Sequence, residues 1–167
     1  MFPESPSGCR RNTHYIHSSS WKTAYKGIVP QEYLDKLKND FWVPAFEKWI
    51  SDNIIISKLV YADNEAIGCI AYGKSRDISL PDWGEIVSIY ALPKYFGRGF
   101  GKALLVNAIN DLHHKGFENI YLWVLEENLQ AQKFYGKNGF SKSEDKLPYE
   151  ISGEKLIHLR FIHQQKD

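Results

Sequence analysis

Three glycines at alternate positions, Gly97, Gly99 and Gly101, stand in the stretch FGRGFGKALL directly after a hydrophobic run, with Arg98 between the first two and Lys102 after the third. Glycine leaves the backbone bare, so a phosphate can come within hydrogen-bonding distance of the N–H groups. If the stretch opens a helix, the unpaired N–H groups of the first turn and the macrodipole favour an anion at the same place. A tight strand-to-helix turn would account for one glycine; three with two interleaved cations point to a bound phosphate. Two nucleotide patterns fail on residues. The P-loop requires glycine where Phe96 stands and Ser or Thr where Ala103 stands. The dinucleotide pattern GxGxxG requires glycine at Lys102 when begun at Gly97, and at Leu104 when begun at Gly99.

A second stretch, ENLQAQKFYGKNGF, sets Asn128 and Tyr135 close to two helical turns apart, so a carboxamide and a phenol fall on one helix face with Ala131 between them. Each also has a purely structural reading, Asn128 as a helix N-cap and Tyr135 as a core residue. Glu85, at the start of an apolar run, reads by itself as an exposed residue, and Glu126 and Glu127 as acids near a helix start, where the dipole favours them. His14 and His17 could share a helix face, but no third ligand is signalled and they read as two surface histidines, with no metal expected. His113 and His114 suit a last helical turn, and no chemistry is assigned to either pair. Trp21, Tyr25, Trp42 and Trp49 read first as core.

These groups need elements to hold them, and helices and strands interleave along the chain without repeats or low-complexity linkers. Helical spacing is visible in HYIHSSSWKTAY and VPQEYLDKL, with PAFEKWI extending the helical region. NIIISKLVYADNEAIGCIAYG reads as a hairpin turning at Ala62 to Glu65, and GEIVSIYAL as a third apolar run stopped by Pro93. After the glycines, Leu104, Leu105, Ala108, Ile109 and Leu112 form a helical stripe closed by Gly116 and Phe117. NIYLWVL is a buried strand, LQAQKFYGKNGF a short helix ending at Gly139, and Ile157, Leu159 and Phe161 one face of a last strand. The order around the site is strand, glycine turn, helix, strand, helix, strand.

A chain of 167 residues can bury roughly 70% of its unfolded surface, so one domain over 1–167 is expected. Lysine plus arginine against aspartate plus glutamate is 21 to 20, a net charge of +1, which gives no global field for nucleic acid or an anionic membrane. Cys9 and Cys69 belong to no CxxC spacing, no stretch approaches a membrane span, and the first fifteen residues have no signal-peptide core; a cytoplasmic protein is expected.

From about Gly84 to Phe140, through EIVSIYALPKYFGRGFGKALL and LWVLEENLQAQKFYGKNGF, the sequence resembles the GNAT superfamily of N-acetyltransferases, and SWKTAYKGIVPQEYL resembles the opening helices of its small bacterial members. The resemblance implies an α/β (α+β) fold with a mixed central sheet of six to seven strands flanked by helices. It implies acetyl-coenzyme A as acetyl donor, with the pyrophosphate on the backbone of Gly97, Arg98, Gly99, Phe100, Gly101 and Lys102. The pantetheine arm would run along Ile89 and Ala91, assigned by position, with Tyr90 on the opposite face. Phe96 departs from the Gln or Arg common in the family, which removes one polar contact. By the same resemblance Asn128 contacts the cofactor and Tyr135 protonates the departing thiolate. A phenol of pKa about 10 can do so, being neutral at pH 7. The acceptor ammonium must lose a proton. Glu85 is the first candidate to take it, with Glu126 and Glu127 next; Trp123 stands where some relatives carry a glutamate base. Trp21 and Tyr25 would wall the acceptor pocket.

The activity expected is transfer of acetyl to a primary amine of a small molecule or peptide by direct attack in a ternary complex, with neither nucleic acid nor membrane as partner; a homodimer is compatible with it. The alternative is a non-catalytic coenzyme A binding or sensor module on the same fold. One departure concerns the start. The family opens with a strand, but Pro3, Pro6 and Gly8 disfavour one, so that strand is expected to be irregular or missing.

Overall fold

The computed structural model describes residues 6–38, 41 and 43–164, with backbone alone for 6–14 and 43. Trp42 and the side chain of His14 thus lie outside the described residues, as do residues 1–5 of the expected irregular strand. From Pro6 onward that segment is a helix. In chain order the elements are α1 Pro6–Ala24, α2 Gln31–Lys36, α3 Val43–Ser51, β1 Ile55–Ala62, β2 Glu65–Lys74, β3 Gly84–Ala91, a 3-10 turn Pro93–Tyr95, α4 Phe100–His114, β4 Asn119–Leu125, α5 Leu129–Lys137, β5 Ser141–Ile151 and β6 Glu154–Gln164. Pro6, unsuited to a strand, is tolerated at the first helical position.

The strands form one six-stranded sheet in the order β1-β2-β3-β4-β6-β5. Neighbours are antiparallel except β3 and β4, which are parallel. The β1–β2 hairpin closes where the sequence turns: Ala62 pairs with Glu65, and Asp63 and Asn64 take φ of 48° and 64°, the positive values a two-residue turn of matching twist requires. One strand was not located by pattern. β5 is exposed along nearly its whole length and contains Pro148, so it shows no apolar alternation; as an edge strand paired only to β6 it needs none.

The feature that shapes the site is the junction of β3 with β4. They pair only at Gly84–Ile120 and Glu85–Tyr121 and then part. On its other side β3 stays paired to β2, with Val87 as an extra residue between the Ile86–Tyr72 and Ser88–Ala71 pairs, a bulge that bends the strand. α4 and α5 cover one sheet face, burying Leu104, Leu105, Ala108, Ile109, Leu112 and Tyr135 against Ile70, Tyr72, Ile86 and Leu122. α1 and α3 cover the other, with Ile16 against Leu59 and Cys69, and Phe46 against Ile55 and Ala71. The stripe read from α4 is its buried face, and Gly116 ends it at φ 90°, with Phe117 N–H bonded to the Leu112 carbonyl at 3.1 Å.

Candidate functional site

After β3 the chain turns through Gly97 and Gly99, at φ 75° and 87°, and enters α4 with Gly99 as N-cap and no side-chain cap. Among the described residues, the N–H groups of Gly97, Gly99, Phe100, Gly101 and Lys102 have no acceptor, whereas that of Arg98 reaches the Tyr95 carbonyl at 3.4 Å. The left-handed φ explains glycine at 97 and 99. Gly101 is helical, and a Cβ built there meets only the Phe134 ring, at 3.6 and 3.7 Å, an ordinary contact. Nothing in the chain itself demands a bare backbone at Gly101. The turn therefore presents a cradle of N–H groups at a positive helix end, and an anionic diphosphate fits it.

The backbone of β3 continues the same surface. Leu92 donates to Ile67 of β2 at 2.8 Å, so alternation directs the backbone groups of Ala91 and Ile89 away from β2, into the gap beside β4. The Ala91 carbonyl is taken by Ser20 Oγ at 2.9 Å, which ties α1 to the strand end. Tyr90 faces the α1 side, as alternation predicts.

Across the gap, Asn128 caps α5, its Oδ1 accepting from Ala131 N–H at 3.1 Å. The structural reading of this residue is thus correct, and its Nδ2 is left to donate elsewhere. Tyr135 is 9% exposed among the rings of Phe134, Phe140 and Phe161, and its hydroxyl has no hydrogen-bond partner among the described residues. Burial pushes this phenol above its ordinary range and holds it neutral. It is at once a core side chain and a proton carried at a cavity wall.

The opposite end is aromatic. The Trp21 and Tyr25 ring centroids lie 4.4 Å apart with their planes tilted by 56°, and the Tyr25 and Tyr90 hydroxyls lie 3.4 Å apart. Burial raises both tyrosines. His17, expected at the surface, is buried between the Phe46 and Tyr90 rings, because α1 turns this face onto the sheet. Glu85 is 3% exposed, which overturns its reading as an exposed strand-start residue. Arg76 closes on its carboxylate with Nη2 to Oε1 at 2.6 Å, Nε to Oε2 at 3.0 Å and the backbone N–H to Oε2 at 3.0 Å. The guanidinium also lies 4.7 Å from the Trp49 ring centroid.

Both ends belong to one cavity of about 820 Å³ that passes through the gap in the sheet. Apart from the second-choice bases Glu126 and Glu127, every residue singled out from sequence for catalysis, cofactor or acceptor lines it except Arg98, whose guanidinium lies over the Tyr95 ring. Glu126 and Glu127 are not on its wall, and Glu126 pairs with Lys146 at 2.9 Å. Arg76, Phe46, Lys137 and His158 line the cavity without having been singled out, and Trp49 lines it despite its reading as core. No local motif marks them. Among the described residues no three His, Cys, Asp or Glu side chains are grouped to hold a metal, and no helix is long and apolar enough to cross a membrane.

The model of the acetyltransferase (GNAT) family matches residues 14–140. The uncharacterized N-acetyltransferase YuaI of Bacillus subtilis is 28% identical over 145 residues, 84% of this chain and 79% of the relative. The spermidine N(1)-acetyltransferase of Thermoplasma acidophilum is 29% identical over 137 residues, 78% and 80% of the two chains. The crystal structure of PaiA N-acetyltransferase from the same organism, in complex with coenzyme A, shares the fold with a TM-score of 0.75 at 22% identity, covering 99% of this chain and 98% of that one. The family match runs from α1 through α5 and so takes in both ends of the cavity: the chain belongs to the acetyltransferase (GNAT) family and is an N-acetyltransferase.

Proposed function

We propose that the protein transfers acetyl from acetyl-coenzyme A to a primary amine by direct attack in a ternary complex. The observation that carries this is the gap between β3 and β4, which opens an anion cradle and a neutral phenol onto the same cavity as an aromatic pocket. The N–H groups from Gly97 to Lys102 hold the donor's pyrophosphate, and the gap-facing backbone of Ile89 and Ala91 pairs with its amide-rich arm. This agrees with the coenzyme A bound by the structural neighbour from Thermoplasma acidophilum. Asn128 Nδ2 adds a donor while its Oδ1 keeps the helix capped. Trp21 and Tyr25 seat the acceptor.

Glu85, the carboxylate on the cavity wall among the described residues, receives the ammonium proton through water. The freed amine attacks the thioester carbonyl to form the C–N bond, the C–S bond breaks, and the nitrogen releases its surplus proton to water as the amide forms. Tyr135 gives its proton to the departing sulfur and is reprotonated from solvent. Backbone N–H groups at the strand end stabilise charge on the carbonyl oxygen. The acceptor is a small-molecule amine or a peptide, and the polyamine named for the Thermoplasma acidophilum relative is one member of that class.

The test is incubation of the protein with acetyl-coenzyme A and a broad amine panel, following thiol release and product mass. Acetylated product from at least one amine is expected. Tight coenzyme A binding with no product from any amine would leave a binding module instead of an enzyme of this kind.

A further inference from the structure

We infer that the acceptor is a monoamine with an aromatic or branched apolar body, and that polyamines are disfavoured at this site; the inference rests on the acetyl-transfer reading above. The aromatic end takes rings from three elements and a turn: Trp21 from α1, Tyr25 from the turn just past its end, Phe46 and Trp49 from α3, and Trp123 from β4. Flat rings offer a large apolar area to an acceptor of like shape.

The charges decide between acceptors. Among the described residues on the cavity wall, the ionic side chains are Lys102, Lys137, Arg76 and Glu85. Lys102 belongs to the first turn of α4 and Lys137 to α5, both on the cradle side of the sheet. The aromatic end holds only the Arg76–Glu85 pair, closed by two side-chain hydrogen bonds and neutral in sum. His158 adds no charge there, since burial holds its imidazole below the usual range against the opposing pull of Glu127.

A monoamine must lose its charge to react, so it leaves no cation in the pocket. A polyamine keeps at least one ammonium, which would meet no unpaired carboxylate among these residues. Ring faces attract a cation, but by less than the cost of desolvating one that has no counter-ion. Specificity therefore arises from the lack of a free counter-ion, Glu85 being held by Arg76, as much as from ring contacts.

The experiment compares phenethylamine with spermidine and putrescine as acceptors, using the intact protein and saturating acetyl-coenzyme A. We expect kcat/KM for phenethylamine to exceed that for either polyamine by about 10-fold or more. Equal or better use of spermidine overturns the inference and leaves acetyl transfer standing. Calorimetric binding of each amine to the coenzyme A complex separates the two ideas further. Spermidine binding as tightly as phenethylamine, or phenethylamine failing to bind, overturns the acceptor class even if no product forms, whereas thiol release from no amine at all sinks the transfer reading. Arg76→Gln, which keeps a donor to Glu85 but removes the cation, is expected to narrow the preference by roughly 5-fold or more. An unchanged ratio in a folded variant would show that the pair does not set the choice.

Discussion

The cradle end and the aromatic end of the cavity are made of different material. At the cradle, the open groups are N–H donors of five of the six residues from Gly97 to Lys102, all but Arg98, in a turn that one strand and one helix set up locally. At the aromatic end, the wall comes from side chains far apart in sequence, Trp21, Phe46, Arg76 and Trp123, which meet only because α1 and α3 pack on the sheet face beside the parted strands. A backbone site tolerates changes of side chain but not loss of bareness. A side-chain site depends on each partner being held by others, as Arg76 is held between Glu85 and Trp49.

Four substitutions and one titration bear on that contrast. Tyr135→Phe acts where the two ends meet. Turnover should fall by roughly 10²-fold or more while acetyl-coenzyme A affinity stays the same, because the ring and the cradle are intact. Rate and affinity measured on one preparation check this, and a folded Phe variant with full turnover would remove the phenol from the chemistry. Gly101→Val acts on the cradle alone. A Cβ there meets only Phe134 at ordinary distance, so folding should survive, while calorimetric affinity for coenzyme A drops by about 10- to 100-fold, the scale of a lost charge-assisted hydrogen bond. Gly99→Val is a poorer probe because φ of 87° adds backbone strain.

Glu85→Gln acts on the aromatic end alone. We expect the rate with a high-pKa amine to fall about 10-fold with an altered acidic limb, and coenzyme A binding to be unchanged. A pH profile matching the unmutated protein would assign the proton to another group. The titration concerns the phenols. Burial raises Tyr25, Tyr90 and Tyr135, so the unfolded chain releases their protons first, near pH 10. Their contribution to stability is complete below that pH and is lost as pH rises beyond it. The thermal midpoint should therefore hold to about pH 10 and then decline. A midpoint flat to pH 11 would contradict the burial. The smallest effect is expected from Asn128→Ala, which deletes the cap of α5 and should cost about 1 kcal/mol by denaturant unfolding. If its rate falls much further than its stability, the carboxamide also serves the ligand.

Legibility in the sequence follows the same division. The hairpin turn at Asp63–Asn64, the stripe of α4 and the glycine closures at Gly116 and Gly139 were all readable, because each depends on neighbours within a few residues. β5 was not located, since an exposed edge strand needs no apolar face. The burial of His17, expected at the surface, and of Glu85, placed in the chemistry by resemblance but reading as exposed by itself, was not legible, because burial of a polar group depends on partners that no local pattern announces.

The amino-acid sequence by itself determined the cradle. Glycines at 97, 99 and 101, an apolar run before them and an amphipathic one after them suffice to bare the start of a helix, and the resemblance to acetyltransferases was already carried by those residues with Asn128 and Tyr135. Tertiary structure alone decided what lies opposite. The parting of β3 from β4 after two residue pairs opened the sheet, and the pairing of Arg76 with Glu85 fixed the charge of the pocket behind it. The physical reason is range. Backbone conformation answers to adjacent residues, whereas a buried ion pair, or a ring facing a gap, exists only when distant segments are brought together and water is excluded between them.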